Sequence, residues 1–330
     1  MKLSTLATGL GLCLLAPAAF AATPSFYANI EFGSVSASGG DYTYEFVAAP
    51  PNFSTAYPAA KFDSGRNSNL HIGAHFSNPL FIELGVAHAE LETSQPTILG
   101  GTGATPCPFA GDSILASCSL RNDFSSRYRT SNVDLIAGWD FKPTASSTLS
   151  PYLGVRRIKF SDTRIGQDTL GAGFVAYNAN VTKFNHYGWV AGVRYQFEFA
   201  QTWYVNAEAQ QAHASGDRSR KLTYEIPTFV PVSLLSGIRP DDSVGVTDRM
   251  LRVSIGKHFI LGGRKATVSL GYQDVRQGGL DTTHIPQISA GGASSFPSTG
   301  ATFVPNYASY GDRNEKVSMR GFFLNLGINQ

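Results

Sequence analysis

The stretch Tyr187-Gly-Trp-Val-Ala-Gly-Val-Arg-Tyr-Gln-Phe-Glu198 decides the fold. Its apolar residues stand at every second position: Tyr187, Trp189, Ala191, Val193, Tyr195 and Phe197. Gly188, Gly192, Arg194, Gln196 and Glu198 stand between them. A period of two places the two sets on opposite sides of a β-strand. In a membrane barrel one side meets lipid and the other the lumen.

The same alternation recurs on both sides of this stretch. Series with apolar residues at alternate positions occupy 26–32, 70–76, 80–86, 133–141, 153–155, 203–209, 251–259, 266–272 and 322–328. Their opposite faces carry glycines and charges, as in Glu83, Asp134, Arg156, Arg194, Glu208 and Arg252. A soluble core would not hold those charges. The reading is therefore all-β: an antiparallel transmembrane β-barrel of about ten strands, with eight or twelve as alternatives. Tyr42 to Val47 and Leu222 to Leu235 are the segments that could add strands, although Pro227 and Pro231 argue against the second.

The connections alternate in length. Segments 77–79, 142–148, 199–202 and 261–264 read as short turns, and 34–66, 91–126, 161–180, 212–247 and 275–315 as long loops. Short periplasmic turns and long extracellular loops are the asymmetry of outer-membrane barrels. Trp139, Trp189 and Trp203, with Phe141, Tyr195, Phe197 and Phe199, mostly fall near the periplasmic ends, as an aromatic girdle would.

The N-terminus supplies the address. Lys2, an apolar run to Phe20 and the small-x-small triplet Ala19-Phe20-Ala21 describe a secretory signal peptide, residues 1–21, cut after Ala21. Residues 22–330 then form the barrel domain in the outer membrane of a Gram-negative cell. Cys107 and Cys118, the two cysteines beyond the leader, read as one local disulfide of an exported chain. A net charge of +2 with only 15% charged residues excludes a general nucleic-acid binder. No metal-ligand spacing and no cofactor motif is present.

Asn132-Val-Asp-Leu-Ile-Ala-Gly-Trp139, Tyr152-Leu-Gly-Val-Arg-Arg157, Trp189-Val-Ala-Gly-Val-Arg-Tyr195, Val268-Ser-Leu-Gly-Tyr-Gln273 and Arg320-Gly-Phe-Phe-Leu-Asn-Leu-Gly327 carry a family resemblance. Together they resemble the pore-forming major outer membrane protein family first named in Legionella, over the strands from about Asn132 onward. That resemblance implies a surface-exposed porin barrel, in some members with a role in attachment to host cells.

Two functions follow as expectations. The first is a porin-like barrel that passes small solutes or ions by passive diffusion through a narrow polar lumen. Glu83, Asp134, Arg156, Arg194, Glu208 and Arg252 would line that lumen. The same residues could instead form a salt-bridged plug, because ten strands lie near the limit at which side chains fill a barrel. The alternative is an adhesin or structural barrel that meets host or surface ligands through its loops. Either form has membrane lipid and lipopolysaccharide around it. Enzymatic activity is not expected. His213, Ser215 and Asp217 share a strand face but read as a polar loop, and no Gly-x-Ser-x-Gly or His-Glu-x-x-His occurs.

Overall fold

Ten long strands, each antiparallel to its neighbours, close on themselves in a computed structural model of the chain. Residues 24–39, 42–48, 53–60, 62, 64–77, 79–99, 120–170, 174–226, 233–279, 288–289, 294–295, 302–303, 306–307 and 316–329 are described. The expected signal peptide and the Cys107–Cys118 disulfide lie outside them.

In chain order the strands are β1 (Ser25–Gly39), β2 (Ser64–His75), β3 (Leu80–Leu99), β4 (Leu120–Trp139) and β5 (Ser147–Leu170). They continue as β6 (Phe174–Phe199), β7 (Trp203–Ile226), β8 (Ser233–Leu261), β9 (Arg264–Gly278) and β10 (Val317–Asn329). Each pairs with the next, and β10 returns to β1 with Tyr27 opposite Asn329 and Gly39 opposite Val317. Closure leaves no sheet edge, the condition for backbone to cross a bilayer as strands. A short strand, Phe141–Thr144, decorates the β4–β5 turn.

The barrel is inside out relative to a soluble protein. Ile72, Leu84, Leu153, Val253, Leu270 and Phe322 point outward and are exposed. Glu83, Arg156, Glu208 and Arg252 point inward and are buried. Trp139, Phe141, Phe197, Phe199 and Trp203 are exposed beside the short turns, at the height of a membrane interface. Trp189 departs from that girdle. It sits opposite Val155 and His213, next to Tyr187, at the far margin of the apolar belt.

Two turns use the left-handed backbone region. Gly262 and Gly263 make the β8–β9 turn at φ values of 57° and 80°. Ala200 and Gln201 make the β6–β7 turn at 48° and 63°, without glycine.

Of the stretches expected as long loops, 34–66, 161–180 and 212–247 are mostly strand among the described residues. β8 runs for 29 residues and β6 for 26, whereas about 9–11 suffice to span the hydrocarbon layer. Leu222–Ile226 and Ser233–Leu235 extend β7 and β8 and pair with one another, with Ile226 opposite Ser233. They add no further strand to the barrel. Tyr42–Ala48 pairs with Phe53–Ala60 as a separate hairpin. The physical reason is a change of solvent. Above the belt the outer face carries Arg127, Arg129, Arg157 and Lys159, while Tyr128, Ile158 and Phe160 turn inward and are buried. The alternation continues with its polarity reversed, so it reads as mixed loop.

Candidate functional site

The lumen is built in three tiers. At the short-turn end, periplasmic in barrels of this kind, a polar cavity of about 340 Å³ is lined by Asn29, His71, His75, Asp140, Gln196 and His258, among others. Five aromatic rings brace the barrel wall around this level, four of them (Tyr27, Phe81, Tyr204 and Phe323) lining the cavity, and each stands opposite a glycine on the neighbouring strand. The pairs are Tyr27 with Gly73, Phe81 with Gly138, Tyr152 with Gly192, Tyr204 with Gly256 and Phe323 with Gly271. A Cβ at any of those glycines would run into the ring it faces. The glycines thus leave room for rings that lie flat along the wall.

The middle tier is ionic. The Arg194 guanidinium donates from its two Nη atoms to Glu83 at 2.8 and 2.7 Å and from Nε to Glu208 at 2.9 Å. It lies 4.9 Å from the centre of the Tyr152 ring. Tyr27 donates to Glu83 at 2.8 Å, Tyr152 donates to Glu208 at 2.7 Å, and His71 Nδ1 lies 3.0 Å from Glu83. Arg252 pairs with Glu31 across the barrel and lies 3.6 Å from Glu208. Slightly higher, Arg156 holds Asp134 through two bonds of 2.7 and 2.6 Å, reaches Asp248 at 2.8 Å, and donates to Gln210 at 2.6 Å.

Strand register explains the layout. Glu208 is directly opposite both Arg194 and Arg252, and Asp134 is directly opposite Arg156. The pairs Arg194–Glu83, Arg156–Asp248 and Arg252–Glu31 instead span the lumen from three strands away. Buried charges survive desolvation only when paired, and each guanidinium and carboxylate of this tier has an opposite charge beside it. A second cavity of about 80 Å³ adjoins this tier, with His71, Glu208 and Arg252 shared between the two.

The outer tier is rich in packed apolar side chains, with Asp162 and Arg218 buried among them, directly opposite Tyr128 and Phe184. Val35, Leu91, Tyr128, Phe184 and Val317 point inward with exposures between 0% and 4%. Tyr128 meets the Phe160 ring at 4.5 Å, and Phe160 meets Phe184 at 4.9 Å. The Tyr128 hydroxyl donates across the lumen to Gln277. The packed rings narrow the lumen at this level.

All six residues expected in the lumen point into it, and they fall in the one ionic tier. Glu31 and Asp248 were not among the expected residues and are equally central. Their signal was the alternation itself: Asp248 precedes Arg252 by four positions on one face, and Glu31 alternates with Ile30 and Phe32. His213, Ser215 and Asp217 share a face, but it is the exposed outer face of β7, with His213 Nδ1 3.5 Å from Thr247 Oγ1.

No family model and no curated protein matches the chain. Solved structures with a similar course include the outer membrane protease OmpT from Escherichia coli, at 10% identity and a TM-score of 0.39, covering 93% of this chain and 98% of that one. A major outer membrane protein from Thermus thermophilus is 12% identical with a TM-score of 0.36, covering 93% and 100%. A Pseudomonas aeruginosa FadL homologue is 8% identical with a TM-score of 0.30, covering 93% and 90%. With no score reaching 0.5, their activities say nothing about this chain.

Proposed function

We propose that this protein is an outer-membrane channel for small polar solutes or ions, whose resting form is closed by the packed tier around Tyr128. The observation that carries the reading is the charged, partly hollow lumen. Filling the barrel with apolar side chains would be at least as stable as burying three arginines among five carboxylates. Arginine and carboxylate walls that select solutes give those charges a purpose, and the packed rings of Tyr128, Phe160 and Phe184 narrow the path above them. In this reading the chain is exported by its leader, residues 1–21, and carries out no catalysis. Membership of the Legionella-type porin family belongs to the same proposal and rests on the strand segments quoted above.

The test is conductance of the refolded chain, residues 22–330, in a planar bilayer. The wild type is expected to open rarely, and Tyr128→Ala with Phe160→Ala to open often and with salt-dependent steps. A folded double variant that inserts yet stays silent would sink the channel reading.

A second reading has one observation in its favour. β5 to β8 rise far beyond the belt as a paired sleeve, and such a rim can present a binding surface to a host or surface ligand. It becomes the leading reading if the double variant is silent.

A further inference from the structure

The outward face of the barrel is unevenly charged just above the apolar belt. On β8, β9 and β10 three cations meet one carboxylate: Arg276 and Arg320 both lie on Asp274, at 2.9 and 3.2 Å, and Arg249 is exposed opposite Arg276. The outer face of β7 offers His213, Ser215 and Asp217. The β2–β6 side differs. Among the described residues Arg66, Arg127 and Arg129 share two carboxylates, Glu90 and Glu92, with Glu90 accepting from Arg66 at 3.0 Å and from Arg129 at 2.6 Å. Those guanidiniums, Arg129 first, hold the Glu90 carboxyl below the usual carboxylate range. Beyond them Lys159 and Lys183 are exposed and form no ion pair among the described residues. Arg157 is held by neutral groups: its Nε donates to Asn185 at 3.0 Å, and its guanidinium stands 5.4 Å from the centre of the Tyr187 ring.

Register brings these cations together. Arg129, Ser161 and Lys183 form one cross-strand row; Ser131, Lys159 and Asn185 form the row beneath; Val133, Arg157 and Tyr187 form the next. Same-face rows are about 6.6 Å apart and strands about 4.8 Å apart, so all four cations fall in a patch the size of a lipid headgroup. Val133, Val155 and Trp189 continue downward from it as exposed apolar surface.

We infer that this face of β4, β5 and β6 binds the phosphate groups of an anionic lipid of the surrounding leaflet. The phosphates meet Arg129, Arg157, Lys159 and Lys183, and the acyl chains run down the apolar rows below. Charge complementarity selects phosphate, because Arg157, Lys159 and Lys183 stand without a carboxylate partner among the described residues and gain most from a fixed anion; Arg129, held by Glu90, adds its charge at the upper edge. Continuity with the belt selects a lipid over a soluble anion, since the two contacts are made by one molecule. The inference goes beyond the channel reading and does not depend on the lumen being open.

The experiment uses refolded residues 22–330 in neutral detergent. The protein is titrated with bis-phosphorylated lipid A, with the same lipid stripped of phosphate, and with inorganic phosphate as competitor, and bound lipid is counted by native mass spectrometry. The phosphorylated lipid is expected to bind at least tenfold more tightly than the stripped one. Lys159→Gln with Lys183→Gln should lose about thirtyfold, at roughly 1 kcal/mol for each cation near a lipid surface. Lys159→Arg with Lys183→Arg should keep the affinity, and Arg276→Gln on the far side should leave it unchanged. Heat-dependent gel mobility checks that each variant is folded. Equal binding of both lipids, or an unaffected Gln pair, overturns the inference. Displacement of the lipid by millimolar inorganic phosphate also overturns it, because the site then serves a free anion. A silent channel with intact phosphate-dependent binding would leave this inference standing and remove only the functional reading.

Discussion

Arg194 on β6 reaches across the lumen to Glu83 on β3, and both of its Nη atoms end on that one carboxylate, at 2.8 and 2.7 Å. The strut spans the lumen between walls three strands apart, and Glu83 is almost fully buried beneath it. Removing one partner strands the other. Arg194→Met is expected to destabilise the folded barrel by about 3–5 kcal/mol. Glu83→Leu in the same chain should return part of that loss. Urea unfolding of the refolded protein, followed by tryptophan fluorescence, measures both, and a single variant within about 1 kcal/mol of wild type would contradict the strut.

Selectivity can be read once the outer tier is opened. In a Tyr128→Ala background, Arg252→Gln leaves Glu31 and Glu208 without their shared cation and should shift the reversal potential towards cations. Glu208→Gln removes a carboxylate between Arg194 and Arg252 and should shift it the other way. Two shifts of the same sign would mean that ions do not pass the ionic tier.

The glycine–aromatic pairs predict a steep contrast between two similar changes. Gly192→Ala drives a methyl group into the Tyr152 ring, which must move and lose its bond to Glu208. The expected cost is about 1–3 kcal/mol. Gly85→Ala also points a methyl group inward, but its nearest neighbour is His71 Nδ1 at 3.4 Å, an ordinary contact. That change should stay within about 0.5 kcal/mol of wild type. Equal effects in parallel unfolding curves would mean that the wall is not close-packed at the ring.

The β6–β7 turn holds avoidable strain. Ala200 and Gln201 both adopt positive φ, which costs a residue with a side chain roughly 1–2 kcal/mol. Asn and Gly are the residues that accept two consecutive left-handed positions at least cost. Ala200→Asn with Gln201→Gly should stabilise the barrel by about 1–2 kcal/mol and leave conductance unchanged. A loss of stability would show that those side chains contribute something the turn geometry does not account for.

The sequence was legible where the chain meets lipid. From 187 to 198 the outer side has one solvent and the inner side another, so alternation alone assigns each residue to a face. Arg156, Arg194 and Arg252 were readable as lumen residues on the same grounds. Legibility failed where the solvent changed. From Arg157 to Phe160 the charged residues face outward and the apolar ones inward, so the strand persists while its pattern inverts. Much of the described part of the segments expected as loops is therefore strand, and the inward rings around Tyr128 carried no signal of their own. Asp248 was lost for the same reason, because it falls one residue past the stretch read as loop. Glu31 was lost because a single charge among Ile30, Phe32 and Phe26 looks incidental until Arg252 arrives from the far side of the barrel. Trp189 misled in another way: its position relative to the turn, not its residue type, decides which interface it marks.

The five ring-on-glycine contacts have a consequence for how such a wall is assembled. Each joins the two strands of one outward hairpin, β1 with β2, β3 with β4, and so on to β9 with β10, so the motif repeats once per hairpin and never between hairpins. Every hairpin therefore arrives with its own share of the lining already fitted. Two strands, not one, are the unit by which this lining can be added or taken away without breaking the pattern. A circumference changed by a whole hairpin would keep every ring seated on its glycine, whereas a change by one strand would leave a ring facing a side chain.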